Sequence, residues 1–133
     1  MLKFFIHVLP VAKGRPKFAK RGNFVTAYTP AKTLTFEKTV AQHGRMYIQK
    51  PLERAIRLEI IFAMPIPAST SNKRAMALLN SPHTKRPDLD NLQKGVLDGL
   101  NGVAWVDDSQ IYSIQASKIY SDKPGITVTI YET

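Results

Sequence analysis

Five of the ten acidic residues in this sequence lie in one 21-residue window: Asp88, Asp90, Asp98, Asp107 and Asp108. The whole chain carries 19 Lys plus Arg and a formal charge of +9, so this window is a local inversion that needs a physical reason. Carboxylate oxygens are hard donors, suited to Mg²⁺ or Mn²⁺ and not to a soft metal. Two or three of them among basic side chains are what metal-assisted phosphodiester hydrolysis requires. The metal polarises the phosphate, generates hydroxide and steadies the leaving oxygen, while Lys and Arg hold the flanking phosphates. Asp88 and Asp90 stand two apart just before a predicted helix, where an extended approach can point both the same way. Asp108 follows that helix, on a return path that can bring it back beside the helix start. Lys94 lies one helical turn beyond Asp90 on the same face, within reach of a scissile phosphate or its attacking water. Without a metal, such carboxylates repel and at least one pKa must rise.

The same residues also admit plainer roles. Asp90 reads as a helix N-cap worth about 1 kcal/mol, with Asp88 a neighbour that stabilises the helix dipole. Lys94 and Asp98, four apart, form a solvated pair on one helix face, the role favoured for Asp98. Of Asp107 and Asp108, one faces the site and the other caps or turns. Trp105, between Ala104 and Val106, reads as core. His7, His43 and His83 show no ligand spacing, and Glu59 on an outer strand face reads as structural.

The elements that must position these residues are legible in the periodicity. Leu2 to Leu9 is apolar enough for a buried first strand, and Phe24 to Tyr28, after the turn signal Arg21-Gly22-Asn23, reads as a short strand or hairpin arm. A helix opens at Pro30 and runs towards Lys50-Pro51, with Leu34, Val40, Tyr47 and Ile48 at roughly helical spacing. Ile56, Leu58, Ile60 and Phe62 alternate with Arg57 and Glu59, the pattern of a half-buried strand that Pro65 and Pro67 stop. Ser71 caps a short helix with Met76 and Leu79 on its inner side, ending near Asn80-Ser81-Pro82. Asp90-Asn91, followed by Leu92, Val96, Leu97 and Leu100, predicts an N-capped amphipathic helix that stops at Asn101-Gly102. Ile111 to Tyr120 and Ile126 to Tyr131, separated by Asp122-Lys123-Pro124-Gly125, predict a terminal hairpin. Strands and helices interleave, so the expected fold is one small α+β domain of residues 1–133, with a mixed sheet and hairpins packed against helices.

At 133 residues, 44% hydrophobic and 22% charged, the chain matches one ordinary globular domain with room for one core. Cys is absent, which excludes a disulfide framework, a zinc–thiolate site and a cysteine nucleophile. No stretch is apolar enough for a membrane span or a signal peptide, and a cytoplasmic protein is expected. The excess positive charge points to a polyanion, nucleic acid first and an anionic membrane only weakly. The first 36 residues carry seven basic side chains, Lys3, Lys13, Arg15, Lys17, Lys20, Arg21 and Lys32, and no acidic one. Such a segment is either a solvated loop or, with Phe18, Phe24 and Tyr28 interleaved, an arm that contacts backbone or stacks on bases.

The run Lys85-Arg86-Pro87-Asp88-Leu89-Asp90-Asn91-Leu92-Gln93-Lys94, then Asp98-Gly99-Leu100, then Trp105-Val106-Asp107-Asp108-Ser109-Gln110-Ile111, resembles the signature of RusA-like Holliday junction resolvases. Lys13-Gly14-Arg15-Pro16-Lys17-Phe18 and Tyr28-Thr29-Pro30 look like the branch of that family carried by phages and prophages. The resemblance implies a small dimeric endodeoxyribonuclease that needs a divalent metal, Mg²⁺ or Mn²⁺ in its place. Such an enzyme makes paired, symmetric nicks in four-way DNA junctions during recombination and repair. The family's three essential aspartates fall on Asp88, Asp90 and Asp108, the metal ligands, and its essential lysine on Lys94. Asp107 and Asn91 take supporting places, and Lys13, Arg15, Lys17, Lys20, Arg21, Lys85 and Arg86 are the expected DNA contacts. A C2 dimer suits a junction of approximate two-fold symmetry, since it presents two equivalent sites. Two other functions fit the residues: a non-catalytic branched-DNA-binding module whose carboxylates only cap helices, and a nuclease for other branched or flap DNA.

Overall fold

The computed structural model describes residues 1–133, with the side chain of Arg21 excepted. In chain order the elements are β1 (Leu2–Ile6), β2 (Lys17–Arg21), β3 (Phe24–Tyr28), α1 (Ala31–Tyr47), β4 (Ile56–Pro65), α2 (Asn72–Leu78), α3 (Leu89–Leu100), a single 3₁₀ turn (Asp108–Gln110), β5 (Ile111–Ser121) and β6 (Gly125–Glu132). Four strands form one mixed sheet in the order β1-β6-β4-β5, and β2 pairs only with β3 as a separate two-stranded ribbon. The expected α+β class with a mixed sheet is therefore what the chain adopts. No helix among the described residues is long and apolar enough to cross a membrane.

Strand β4 is the axis of the sheet. It pairs antiparallel with β6 and parallel with β5, so both of its edges are occupied. The alternation read from the sequence holds here: Ile56, Leu58, Ile60 and Phe62 are all buried. Beside them in register lie Ile130, Val128 and Ile126 of β6, which in turn face Leu2, Phe4 and Ile6 of β1. That apolar face packs against Phe36 and Val40 of α1 and Leu92, Val96 and Leu100 of α3, and Trp105 closes the same core.

The expected terminal hairpin does not form. Strands β5 and β6 follow each other across Asp122-Lys123-Pro124, but β4 lies between them. The turn signal was real, yet a turn fixes only a reversal of direction and not which strands pair. β4 and β6 are the most thoroughly buried strands and hide most apolar surface side by side, whereas β5 has a partly exposed pattern fit for an edge.

Two further expectations need correction. The first strand ends at Ile6 and does not reach Leu9, which is exposed. Helix α2 is capped by Ser71 as expected, its side chain accepting from the Arg74 N–H. It buries no residue, however, and Met76 is 74% exposed and Leu79 also exposed. Helix α2 makes no extensive contact with the core elements, so its apolar side has no inner face to meet.

Helices α1 and α3 approach closely where a side chain would not fit. A Cβ on Gly99 would lie 2.8 Å from Val40 Cγ1 and 2.9 Å from Val40 Cβ, with the Glu37 carbonyl 3.2 Å away. Replacing Gly by Ala usually favours an exposed helix by about 1 kcal/mol. Here overpacking of about 1–3 kcal/mol outweighs that gain, because two backbones and a β-branched side chain must separate. We therefore expect Gly99→Ala to lower the urea midpoint. An unchanged or higher midpoint would show that the helix pair has slack.

Candidate functional site

The parallel pairing of β4 with β5 forces the intervening chain to cross the sheet, and that crossover holds most of the candidate residues. Its helix, α3, is amphipathic, with Leu92, Val96 and Leu100 inward and Asp90, Lys94 and Asp98 exposed. Asp88 occupies the N-cap position with extended backbone, and Asp90 sits in the first turn. The cap position expected of Asp90 is thus two residues earlier, at Asp88, and even there the side chain makes no capping hydrogen bond. Neither carboxylate takes part in a hydrogen bond or ion pair among the described residues. Capping does not account for this pair, and both remain available to a ligand.

Around the helix start, basic groups gather. Arg15, Arg86, Pro87, Asp88 and Asn91 line an open groove of about 610 Å³. Segment 13–15 is tied down beside it by two backbone contacts. The Lys13 N–H donates to the Asn91 carbonyl at 3.1 Å, and the Gly14 N–H donates to Thr33 Oγ1 at 3.1 Å. The Lys13 ammonium itself lies between Glu37 Oε1 at 2.5 Å and Asp98 Oδ2 at 3.0 Å. Burial opposes its charge, but the hydrogen bonds to Glu37 and Asp98 outweigh that and raise its pKa. Expected as a DNA contact, Lys13 sits in the structure as a cation that joins α1, α3 and the basic loop. The same contact replaces the Lys94–Asp98 pair expected on α3, leaving Lys94 in no ion pair among the described residues. Lys85 and Arg86 are exposed, Lys17 and Lys20 lie on the β2–β3 ribbon, and the side chain of Arg21 falls outside the described residues.

Asp107 and Asp108 divide their roles as adjacent residues on a tight turn can. Asp107 caps the 3₁₀ turn, accepting from the Ser109 N–H at 3.1 Å, while the Gln110 side chain accepts from the Asp107 N–H at 2.8 Å. Hydrogen bonding from Ser109, its side chain first and then its backbone N–H, lowers the Asp107 pKa. Gln110 also donates to the carbonyls of Leu52 and Arg54, which fastens the turn to the segment before β4. Asp108 is half-buried and accepts from the indole N–H of Trp105 at 2.6 Å. Trp105 is fully buried, as expected of a core residue, but it also orients a carboxylate. The sequence signal for this second role was the three-residue spacing of Trp105 and Asp108.

Asp108 has its pKa raised, first by burial and further by the charges of Asp98 and Asp107, against the opposing hydrogen bond from Trp105. The tight turn after α3, where Val103 and Ala104 both donate to Leu100, brings Asp108 into the field of Asp98. Among the described residues, no three acidic or histidine side chains come together as a ready-made metal cluster. The donor chemistry nevertheless fits a hard dication: Asp88 and Asp90 are uncommitted, and Asp108 has only one oxygen engaged.

A residue that sequence analysis passed over supports this site. Lys118 lies on β5 in register with Phe62, at a position on the core face of the strand. Its ammonium donates to the carbonyls of Lys85 and Pro87, both at 2.7 Å. It thus holds the segment that delivers Arg86 and Asp88 to the groove. A lysine in phase with Ile114, Ala116 and Tyr120 was the signal that could have found it. Glu59 has a structural place, as expected: Arg57 donates to it at 3.0 Å while stacking 3.7 Å over the Tyr131 ring.

Two measurements follow from this geometry. A carboxyl whose folded pKa is raised contributes stability below its unfolded value and loses it as pH rises through the folded value. In metal-free buffer, Asp108→Asn should therefore raise the urea midpoint at pH 7. The difference should vanish at about pH 3, where both states are protonated. A less stable variant at pH 7 would show that the Trp105 hydrogen bond outweighs burial. Separately, Lys118→Met should speed amide hydrogen exchange at His83 and Leu92, whose N–H groups bond the Lys118 and Asp88 carbonyls on either side of the held segment, on the order of tenfold while β4 and β6 keep their protection. Unchanged exchange there would mean the ammonium is not what holds the segment.

The family model described as "Endodeoxyribonuclease RusA" matches residues 7–131. The chain is also 35% identical over 137 residues to a Bacillus subtilis (strain 168) protein called "Uncharacterized protein YqaN", covering 98% of this chain and 96% of the relative.

Proposed function

This chain belongs to the RusA endodeoxyribonuclease family, and from that premise we propose that it resolves four-way DNA junctions by paired, symmetric nicks, serving recombination and repair. The observation that carries the reading is the start of α3. Two carboxylates there are left out of helix capping, in and beside a groove lined by Arg15 and Arg86 on a protein of charge +9. A groove of that kind attracts a phosphodiester backbone and places it against hard oxygen donors.

In this reading Asp88, Asp90 and Asp108 would hold Mg²⁺, or Mn²⁺ in its place. The ion, when bound, would lower the pKa of a water and neutralise charge on the phosphate. The protein's own part is positioning. Arg15 and Arg86 clamp the phosphates on either side of the cut. Lys94, exposed on α3 and unpaired among the described residues, meets negative charge as it grows on the reacting phosphate. Asp107 and Asn91 act indirectly, Asp107 by fixing the turn that carries Asp108 and Asn91 by holding the loop that carries Arg15. The working unit is a C2 homodimer, because two nicks related by symmetry need two equivalent sites.

The test is cleavage of a labelled four-way junction against linear duplex, in Mg²⁺, Mn²⁺ or EDTA. Paired cuts in strands of like polarity, only with metal and only in the junction, are the expected result. Asp88→Asn and Asp90→Asn should each lower the cutting rate by at least about 100-fold with junction binding retained. Lys94→Ala should cost about 100-fold by removing a donor to the transition state. Binding without cutting in either metal would sink the nuclease reading in favour of a DNA-binding module. Unpaired cuts, or equal cutting of flaps, would point to another branched substrate. Sedimentation should give a dimer at cutting concentrations, and a monomer there would overturn the two-site mechanism.

A further inference from the structure

The ribbon of β2 and β3 is unaccounted for by the core and by the carboxylate site. It forms a two-stranded sheet of its own, and every residue of β3 is exposed. Phe18 is 71% and Phe24 76% exposed, with Val25 and Tyr28 exposed beside them. The register puts Phe18 and Lys20 on one face and Phe24, Tyr28 and Lys17 on the other, so each face carries aromatic and basic groups together. No acidic residue occurs anywhere in the first 36.

We propose that this ribbon is the element that distinguishes branched from linear DNA, its aromatic rings stacking on bases exposed where the duplex stack is interrupted. The inference rests on the junction reading above and deepens it. Its argument is the pairing of two chemistries. Lysines on both faces call for an anionic partner, and flat exposed rings call for a partner with exposed π-faces. In linear duplex those faces are hidden inside the stack, whereas a branch point breaks the stack and uncovers them. A two-stranded ribbon is also narrow enough to enter a groove of DNA. Its position fits as well: the loop that leads into β2 is pinned to α3 and α1 through Lys13 and Gly14, and it carries Arg15 into the Asp88 groove. A ribbon seated at the branch point therefore sets the adjoining phosphates near the carboxylates.

The test is equilibrium binding in EDTA, where cutting does not enter, to a four-way junction and to linear duplex of equal length. Phe18→Ser with Phe24→Ser removes two exposed rings and nothing from the core. Junction affinity should fall on the order of tenfold or more while duplex affinity changes by less than about twofold. Lys20→Ser should weaken both, as a phosphate contact does. A 2-aminopurine at the branch point should change its fluorescence when the unmodified protein binds, and not when the double variant does. An equal loss on both DNAs, or no loss on the junction, overturns the inference. So does a shift of the double variant to a smaller species in sedimentation, which would assign the rings to contact between copies. If the unmodified protein shows no preference for the junction, the junction reading falls first and this inference with it. A preference that survives in the double variant removes this inference alone.

Discussion

The burial of β4 between two partners is the constraint on which the rest depends. Ile56, Leu58, Ile60 and Phe62 remove more apolar surface from water at the centre of a sheet than at its edge. Once β6 occupies one side antiparallel and β5 the other in parallel, the chain between β4 and β5 must cross from one end of the sheet to the other. That crossover contains α3, the Lys85–Asp88 approach and the Trp105–Asp108 return. Most of the candidate site residues are thus carried by a connection that the core obliges to be long, with its apolar helix face anchored on the sheet.

Polar tethers then fix the site to that core. Trp105 reaches from full burial to orient Asp108, Lys118 reaches from the core face of β5 to hold the carbonyls of Lys85 and Pro87, and Lys13 joins α1, α3 and the basic loop. In each case a donor meets an acceptor that would otherwise be left to water or to a neighbour's charge, and the Lys118 and Lys13 contacts join segments far apart in the chain. The consequence is a division of labour among like residues. Asp107 satisfies a local donor and Asp98 the distant Lys13 ammonium, while Asp88, Asp90 and one oxygen of Asp108 are left open. The raised pKa of Asp108 comes from its burial and from the charges of Asp98 and Asp107, which the hydrogen bond from Trp105 offsets only in part.

The ribbon stands outside this economy of contacts. Its rings and lysines gain nothing from the core, and a monomer in water derives no stability from exposing Phe18 and Phe24. Its place beside the Arg15 groove ties an exposed feature to a buried framework through two backbone N–H groups, Lys13 donating to the Asn91 carbonyl and Gly14 to the Thr33 hydroxyl.

Much of this was present in the sequence. Alternation over residues 56–62, the apolar stripe of Leu92, Val96 and Leu100, and the Ser71 cap are local patterns, and local patterns survive folding because they reflect backbone geometry within a few residues. The acidic window inside a basic chain likewise marked the candidate site, and the spacing of its motifs matched the family to which the chain belongs. What the sequence left undecided were questions of partnership at a distance. Whether β5 and β6 pair, which cation meets Asp98, and whether Met76 and Leu79 find a face to cover all depend on segments far apart in the chain. The sequence alone determined the element types and the residues available for chemistry. Only the tertiary structure decided which of them are bound to each other and which are left free, because that is set by competition among all possible partners for the same burial and the same charge.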